Sequence, residues 1–359
     1  MDLLSVHLGD RLGWYRALEA APADPDELAR RTGTARRCAR ERCRQQAATG
    51  LLRQGPDGRY GLAPGVRQTL VDEHDLRFSV PLARLLAGLA VQVPHLLEAY
   101  RAGTGVGWAQ FGDDVRNAQA AANRPWFEKA LAGTVNSVPD LADRFARAGT
   151  VADIGCGAGW SSIAIARAWP ATTVVGLDVD APSVDSARAD VHEAGLDDRV
   201  QIRLADAGDA TGFGGPFDLV TAFECVHDLP HPVAVLDAAR RSLTEAGAVL
   251  VVDEAVAEEP APVGDPVERM MHGWSVLACL PDSMTTPGSV ATGTVMRPST
   301  LARYARYAGF SLVEPLGVEG FGLLAFTLLV PWPAGPAGDE PPVGWKSGAV
   351  AQSVRAGNS

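Results

Sequence analysis

Residues Val151 to Trp160, VADIGCGAGW, constrain this chain more than any other stretch, because an apolar strand runs into three alternate glycines and then into a helix. Glycine at 155, 157 and 159 permits positive φ and removes the Cβ atoms that would hold a ligand away from the backbone. The N-terminus of the helix that follows offers unpaired N–H groups. A second strand, Val174 to Leu177, ends in Asp178, nineteen residues beyond Gly159. A carboxylate at such a neighbouring strand end accepts hydrogen bonds from ribose hydroxyls, so a ligand containing a ribose is expected.

Three further apolar strands follow: Val200 to Ala205 running into Asp206, Phe217 to Phe223, and Ala248 to Val252 ending at Asp253-Glu254. Five strands alternating with helical stretches predict an α/β fold, a Rossmann-like doubly wound parallel sheet covered by helices on both faces. Ligands bind such sheets outside the carboxyl ends of the strands. Gly155 to Gly159, Asp178, Asp206 and Phe223-Glu224 all fall there.

A dinucleotide fingerprint reads G-x-G-x-x-G, whereas this turn reads D-I-G-C-G-A-G, with Asp153 two residues before the first glycine. In this it resembles the class I S-adenosylmethionine (SAM) methyltransferases, whose first motif is written E/D-x-G-x-G-x-G. The resemblance implies SAM as the cofactor. Asp153, Gly155, Cys156, Gly157 and Gly159 would meet its methionine part, Asp178 with Val179 its ribose, and Asp206 with Ala207 its adenine edge, with Phe223 and Glu224 completing the pocket.

Upstream of the sheet, apolar residues recur at helical spacing. Asp24-Pro25-Asp26-Glu27 is a helix start with a capping acid. Gly33-Thr34 breaks that helix, Ala35 to Ala48 forms the next, and Leu51 to Arg53 with Arg59 to Leu62 read as a short hairpin. Two helices and a hairpin in this order resemble a winged helix. The second helix carries Arg36, Arg37, Arg40, Arg42 and Arg44, with Glu41 as the opposing charge, which raises the possibility of DNA contact. In the natural-product O-methyltransferases that this arrangement resembles, the corresponding domain pairs two subunits, and a homodimer is the expectation. The domains are then residues 1–145, mostly helical and winged-helix-like with bridging helices, and 146–330, the SAM-binding domain. Within the latter, 255–298 is an irregular apolar insertion over the acceptor; the Pro- and Gly-rich 331–359 is a disordered tail.

A net charge of -11 argues against general affinity for nucleic acid. Five scattered cysteines without a C-x-x-C pair indicate neither a disulfide framework nor a zinc site, and fit a reducing cytoplasm. No leader pattern opens the chain, and no apolar run of about 18 residues for a bilayer is read from it. A soluble cytoplasmic protein without a membrane partner is expected.

Chemistry is sought just after the fourth strand, in Glu224-Cys225-Val226-His227-Asp228. His227 is the candidate catalytic base: methyl transfer needs an in-line nucleophile, and a hydroxyl improves when a base with a near-neutral pKa removes its proton. In relatives of the resembled class a catalytic histidine opens an H-D-W-x-D-E-like motif here. His227-Asp228 matches its first two residues, Leu229 replaces the Trp, and a structural histidine is the alternative. Asp228 reads as a helix cap and Cys225 as a buried thiol. No Asp-Asp-Asn constellation follows the strands, so no metal is expected.

The sequence therefore predicts a SAM-dependent methyltransferase acting on an oxygen of a small secondary-metabolite-like acceptor. N- or C-methylation, SAM-assisted chemistry without methyl transfer, and a SAM-responsive DNA-binding regulator are the alternatives.

Overall fold

The computed structural model describes residues 1–260, 265–318 and 323–331, the side chains of residues 210 and 211 aside. The expected tail, from residue 332 onward, lies outside them.

The chain divides into two compact units, residues 1–91 with 111–129, and residues 92–110 with those from 130 onward. The boundary expected near residue 145 is thereby corrected. Residues 92–110 belong with the sheet unit because they bond to the insertion: Tyr100 Oη donates to Val276 O (2.8 Å), Val106 N to Pro281 O (3.1 Å) and Trp108 N to Asp282 Oδ1 (2.6 Å). Phe145, on helix Pro139–Arg147, packs against Trp169 with ring centroids 4.4 Å apart.

In the first unit, Asp24 caps helix Pro25–Thr32 by accepting Glu27 N, and Gly33 ends it in the left-handed region (φ 64). Helix Arg36–Ala48 follows, then strands β1 (Leu52–Gln54) and β2 (Tyr60–Leu62), paired antiparallel. Trp14, Leu18, Leu28, Ala39, Cys43 and Tyr60 form its core. The arginines have more partners than Glu41 alone: Arg30 and Arg31 pair with Glu27, and Arg36 and Arg40 with Asp26. Arg42 is buried, stacked over Trp14 at 4.7 Å.

Helix Val80–Ala102, with 23 residues and mean hydropathy 1.4, is long and apolar enough to cross a membrane by length and composition. The sequence reading missed it because Gln92, Pro94 and His95 interrupt the apolar run.

In the second unit, β3 (Thr150–Ile154), β4 (Thr173–Asp178), β5 (Val200–Leu204), β6 (Phe217–Phe223), β7 (Leu243–Glu254), β8 (Phe310–Leu316) and β9 (Leu324–Pro331) form one sheet in the order β5-β4-β3-β6-β7-β9-β8. Pairing is parallel from β5 to β7, and β9 adds antiparallel to β7 and β8. The inner strands are buried on both faces, as their unbroken apolar runs require. Since β4 lies on one side of β3 and β6 on the other, the chain order reverses around β3. A crevice therefore opens at the carboxyl ends of β3 and β6. The 255–298 insertion is helical rather than irregular over its middle: Asp265 caps helix Pro266–Trp274, a π-helical turn Ser275–Cys279 follows, and helix Leu280–Ser283 completes it.

Candidate active site

The three glycines of the turn have three different jobs. All lie at positive φ (63, 51 and 78). A Cβ on Gly155 would meet Cys225 Cβ at 2.8 Å, and one on Gly159 would meet Ala187 Cβ at 3.1 Å, so both permit close packing. A Cβ on Gly157 would meet nothing within 4 Å; this glycine faces open space. Gly155 N donates to Leu177 O (2.8 Å), tying the turn to β4.

Asp178, at the end of β4, accepts Gly157 N on Oδ2 and Asp180 N on Oδ1, both at 2.8 Å. Each carboxylate oxygen keeps a further acceptor site for a hydroxyl. Beside it the Val179 side chain is exposed, an apolar surface next to a polar anchor. Burial pushes the Asp178 carboxyl above its usual range, against the pull of those N–H groups.

Two expected ligand contacts need correction. Asp153 is fully buried and accepts hydrogen bonds from Ser161 Oγ (2.5 Å), Ser162 Oγ (2.6 Å) and Thr221 Oγ1 (2.8 Å). It ties β3 to the helix after the turn and to β6, so its carboxylate is committed to the frame of the turn. The Cys156 side chain is also buried, beside the Cα of Gly176, so Cys156 offers the pocket its backbone only. Asp206 is exposed just beyond β5, its Oδ1 accepting Gly208 N (2.7 Å), and Ala207 is buried behind it. Phe223 ends β6 buried, and Glu224 adopts φ 49, a conformation that non-glycine residues rarely take outside functional turns.

That left-handed residue re-aims the chain so that His227 drops behind the ends of β6 and β7. His227 is 2% exposed. Its Nδ1 hydrogen-bonds Asp253 Oδ1 and lies 3.0 Å from Glu254 Oε2, while Nε2 lies 3.3 Å from Asp228 Oδ1. Burial alone would lower the imidazole pKa, but the charges of Asp228, Asp253 and Glu254 reverse this and hold it well above its ordinary value. Burial, with Asp253 alongside, pushes Glu254 up to about 8. Asp253 is held below its usual range by His227 despite burial.

Asp228 does not cap the following helix. His231 occupies that position, and Asp228 faces His227. Cys225 is a structural thiol: burial raises its pKa far above the ordinary value, and Sγ donates to Ile154 O at 3.4 Å. Cys279, from the π-helical turn, brings its Sγ within 4.8 Å of donor atoms on both His227 and Asp228. His227, Asp253 and Glu254 form a second group with donor atoms within the same span. Within that group Nδ1 is engaged by Asp253.

Asp253, Glu254 and Cys279 were missed as neighbours of His227. The first two were legible as the acidic end of β7, the strand next to β6, whose end leads into His227; the insertion carried no signal in its spacing.

A family model described as a methyltransferase domain matches residues 151–247. The chain is 33% identical over 136 residues to the 27-O-demethylrifamycin SV methyltransferase of Amycolatopsis mediterranei, covering 36% of this chain and 50% of that protein. It is 31% identical to the ubiquinone biosynthesis O-methyltransferase of Thiobacillus denitrificans, covering 47% and 67%. The chain thus spans from half to about two thirds of these curated relatives' lengths. In fold it is similar to an O-methyltransferase family protein from Burkholderia thailandensis, with a TM-score of 0.73 at 19% identity over 93% of this chain and 95% of that one. Fold, glycine turn and relatives together place the chain in the class I SAM-dependent methyltransferases.

The residues present fit that family's cofactor. Gly157 leaves a Cβ-sized opening over bare backbone, and Asp178 stands at the neighbouring strand end with acceptor capacity to spare.

Proposed function

We propose that the protein transfers a methyl group from SAM to a hydroxyl oxygen of a small, secondary-metabolite-like acceptor. The observation that carries this reading is the convergence, at adjacent strand ends, of the open glycine turn with Asp178 and of a buried histidine anchored by a strand-end carboxylate.

Bound SAM supplies an electrophilic methyl on a sulfonium. The chain's task is to hold it, align the acceptor oxygen behind that methyl, and take the oxygen's proton. The glycine turn and Asp178 hold the cofactor, with Val179, Asp206, Ala207, Phe223 and Glu224 around it. Asp253 holds the Nδ1 proton of His227, which leaves Nε2 as the basic nitrogen. After proton transfer, Asp253 and Glu254 stabilise the imidazolium. The surrounding carboxylates raise the imidazole pKa above its ordinary value, which strengthens His227 as a base, and activity should rise with pH as the imidazole sheds its proton.

The first unit supports a homodimer. Leu4, Leu8 and Leu12 recur every fourth residue along the first helix and its cap, all exposed at 37% or more, and such a stripe suits a second copy. Its arginines largely have acidic partners, which favours this role over DNA contact. All five cysteines are free, in keeping with work in a reducing cytoplasm.

Calorimetric titration of SAM and S-adenosylhomocysteine, followed by an acceptor screen with isotope-labelled methyl SAM, tests the reading. Binding with transfer to hydroxyl-bearing small molecules is expected. Binding without transfer to any oxygen, or transfer to nitrogen or carbon alone, would overturn it.

A further inference from the structure

We infer that His227 Nε2, Asp228 Oδ1 and Cys279 Sγ form a site for a zinc-type divalent cation, and that the cation shuts off methyl transfer by taking the nitrogen that acts as base. The site stands on its own geometry, and the inhibition rests on the methyl-transfer reading.

The three side chains bring three kinds of donor to one point. Their nitrogen, oxygen and sulfur all lie within 4.8 Å of one another. Nε2 and Asp228 Oδ1 are 3.3 Å apart, beyond the usual N–H···O separation of about 2.9–3.0 Å. A tetrahedral ion with bonds of about 2.0–2.2 Å to nitrogen and oxygen sets two such ligands roughly 3.3–3.6 Å apart. The pair is thus spaced for an ion between its members.

The histidine is also oriented as a ligand. Ligating imidazoles ordinarily give their second ring N–H to a carboxylate, which fixes the tautomer and the ring plane. Here Asp253 Oδ1 engages Nδ1, and Glu254 Oε2 stands 3.0 Å from the same nitrogen. Nε2 is left to Asp228 and Cys279. His227 is 2% exposed, but the Asp228 side chain is 35% exposed and gives a cation its way in.

Two departures from regular backbone converge on these ligands. The left-handed turn at Glu224 leads to His227 and Asp228, and the π-helical turn Ser275–Cys279 ends on the third ligand; such turns are frequent at functional sites. The donor set selects the ion: a thiolate with an imidazole favours zinc, whereas magnesium and calcium take oxygen ligands. Three protein ligands leave the fourth position for water. On binding, the thiol proton of Cys279 passes to solvent.

The test titrates cobalt(II), a coloured substitute for zinc, into the full chain and then displaces it with zinc. One equivalent should bind with a sulfur-to-cobalt charge-transfer band. Cys279→Ala should abolish that band and weaken zinc binding, read by calorimetry, at least about tenfold, since a ligand counts for no less than its outer partner. Asp253→Asn, which alters that outer partner, should weaken zinc about 10- to 100-fold. Cys38→Ala, which removes the exposed thiol, should change neither band nor affinity. Unchanged S-adenosylhomocysteine affinity shows that each variant is folded. The zinc concentration that halves methyl transfer should rise at least about tenfold in Cys279→Ala, in step with its affinity. No charge-transfer band, or a band that survives Cys279→Ala, would overturn the site; bound zinc that leaves transfer intact would overturn the inhibition. Absence of transfer to any acceptor would instead overturn the methyl-transfer reading, and the cobalt spectra would still decide the site.

Discussion

The two halves of the crevice are built on opposite principles. On the β3–β4 side the protein satisfies its own polar groups: Asp153 accepts three hydroxyls and Asp178 two backbone N–H groups. On the β6–β7 side three carboxylates, Asp228, Asp253 and Glu254, crowd one imidazole. A self-satisfied half is a rigid mould whose shape precedes its ligand. The other half carries unbalanced charge, and its protonation is what changes during a reaction cycle. Structure and chemistry are thus separated across β3 and β6, and substitutions on the two sides should fail in different ways.

The largest effect is expected on the charged side. His227→Ala should lower kcat by about 10²–10⁴, the usual worth of a positioned general base, while leaving the dissociation constant for S-adenosylhomocysteine unchanged. Stopped-time methyl transfer beside calorimetry reads both quantities. A parallel loss of cofactor affinity would erase the division between the halves. On the moulded side, Asp178→Ala should weaken SAM binding by about 10- to 150-fold, the range for hydrogen bonds to a charged group. It also frees the N–H groups of Gly157 and Asp180, so the turn itself should loosen.

The moulded half was the legible one. Glycines on alternate positions after an apolar strand have few other uses, and an acid at the next strand end follows from parallel topology. Sequence could not separate the three glycines, because which one faces a neighbour and which faces open space depends on Cys225 and Ala187, 70 and 28 residues downstream of Gly155 and Gly159. Nor could it show that Asp153 turns inward, since the hydroxyls that claim it come from the following helix and from β6. On the charged side His227 was legible from its place after a strand. Two of its carboxylate partners, Asp253 and Glu254, come from β7, and only the sheet order brings that strand end beside it; the third, Asp228, is its neighbour in the chain. The placing of 92–110 with the sheet unit was hidden for the same reason: those residues hydrogen-bond to Val276, Pro281 and Asp282.

A smaller effect distinguishes two glycines of one turn. Gly157→Ala incurs only its positive φ, about 1–2 kcal/mol, but places a methyl where the cofactor should lie, so affinity should fall more than stability. Gly155→Ala adds the clash with Cys225, a further cost of about 1–3 kcal/mol, and should lower the thermal midpoint more. If Gly157→Ala left SAM affinity intact, the open space above it would not be the cofactor's.

The smallest effect is a displacement along the pH axis, and it tests the charged side most directly. His227 is held above its ordinary pKa by Asp228, Asp253 and Glu254, so kcat/KM should climb as pH rises and the imidazole sheds its proton. Asp253→Asn removes one of the charges that favour the protonated form. The folded-state pKa must then fall, and the rising limb must move to lower pH, while the plateau drops because the amide stabilises the imidazolium less well. Glu254→Gln should move the limb in the same direction, since it too removes a negative charge beside Nδ1. A limb that stays in place in both variants would mean that the titrating group is not His227, and that the crowded carboxylates serve the acceptor rather than the base.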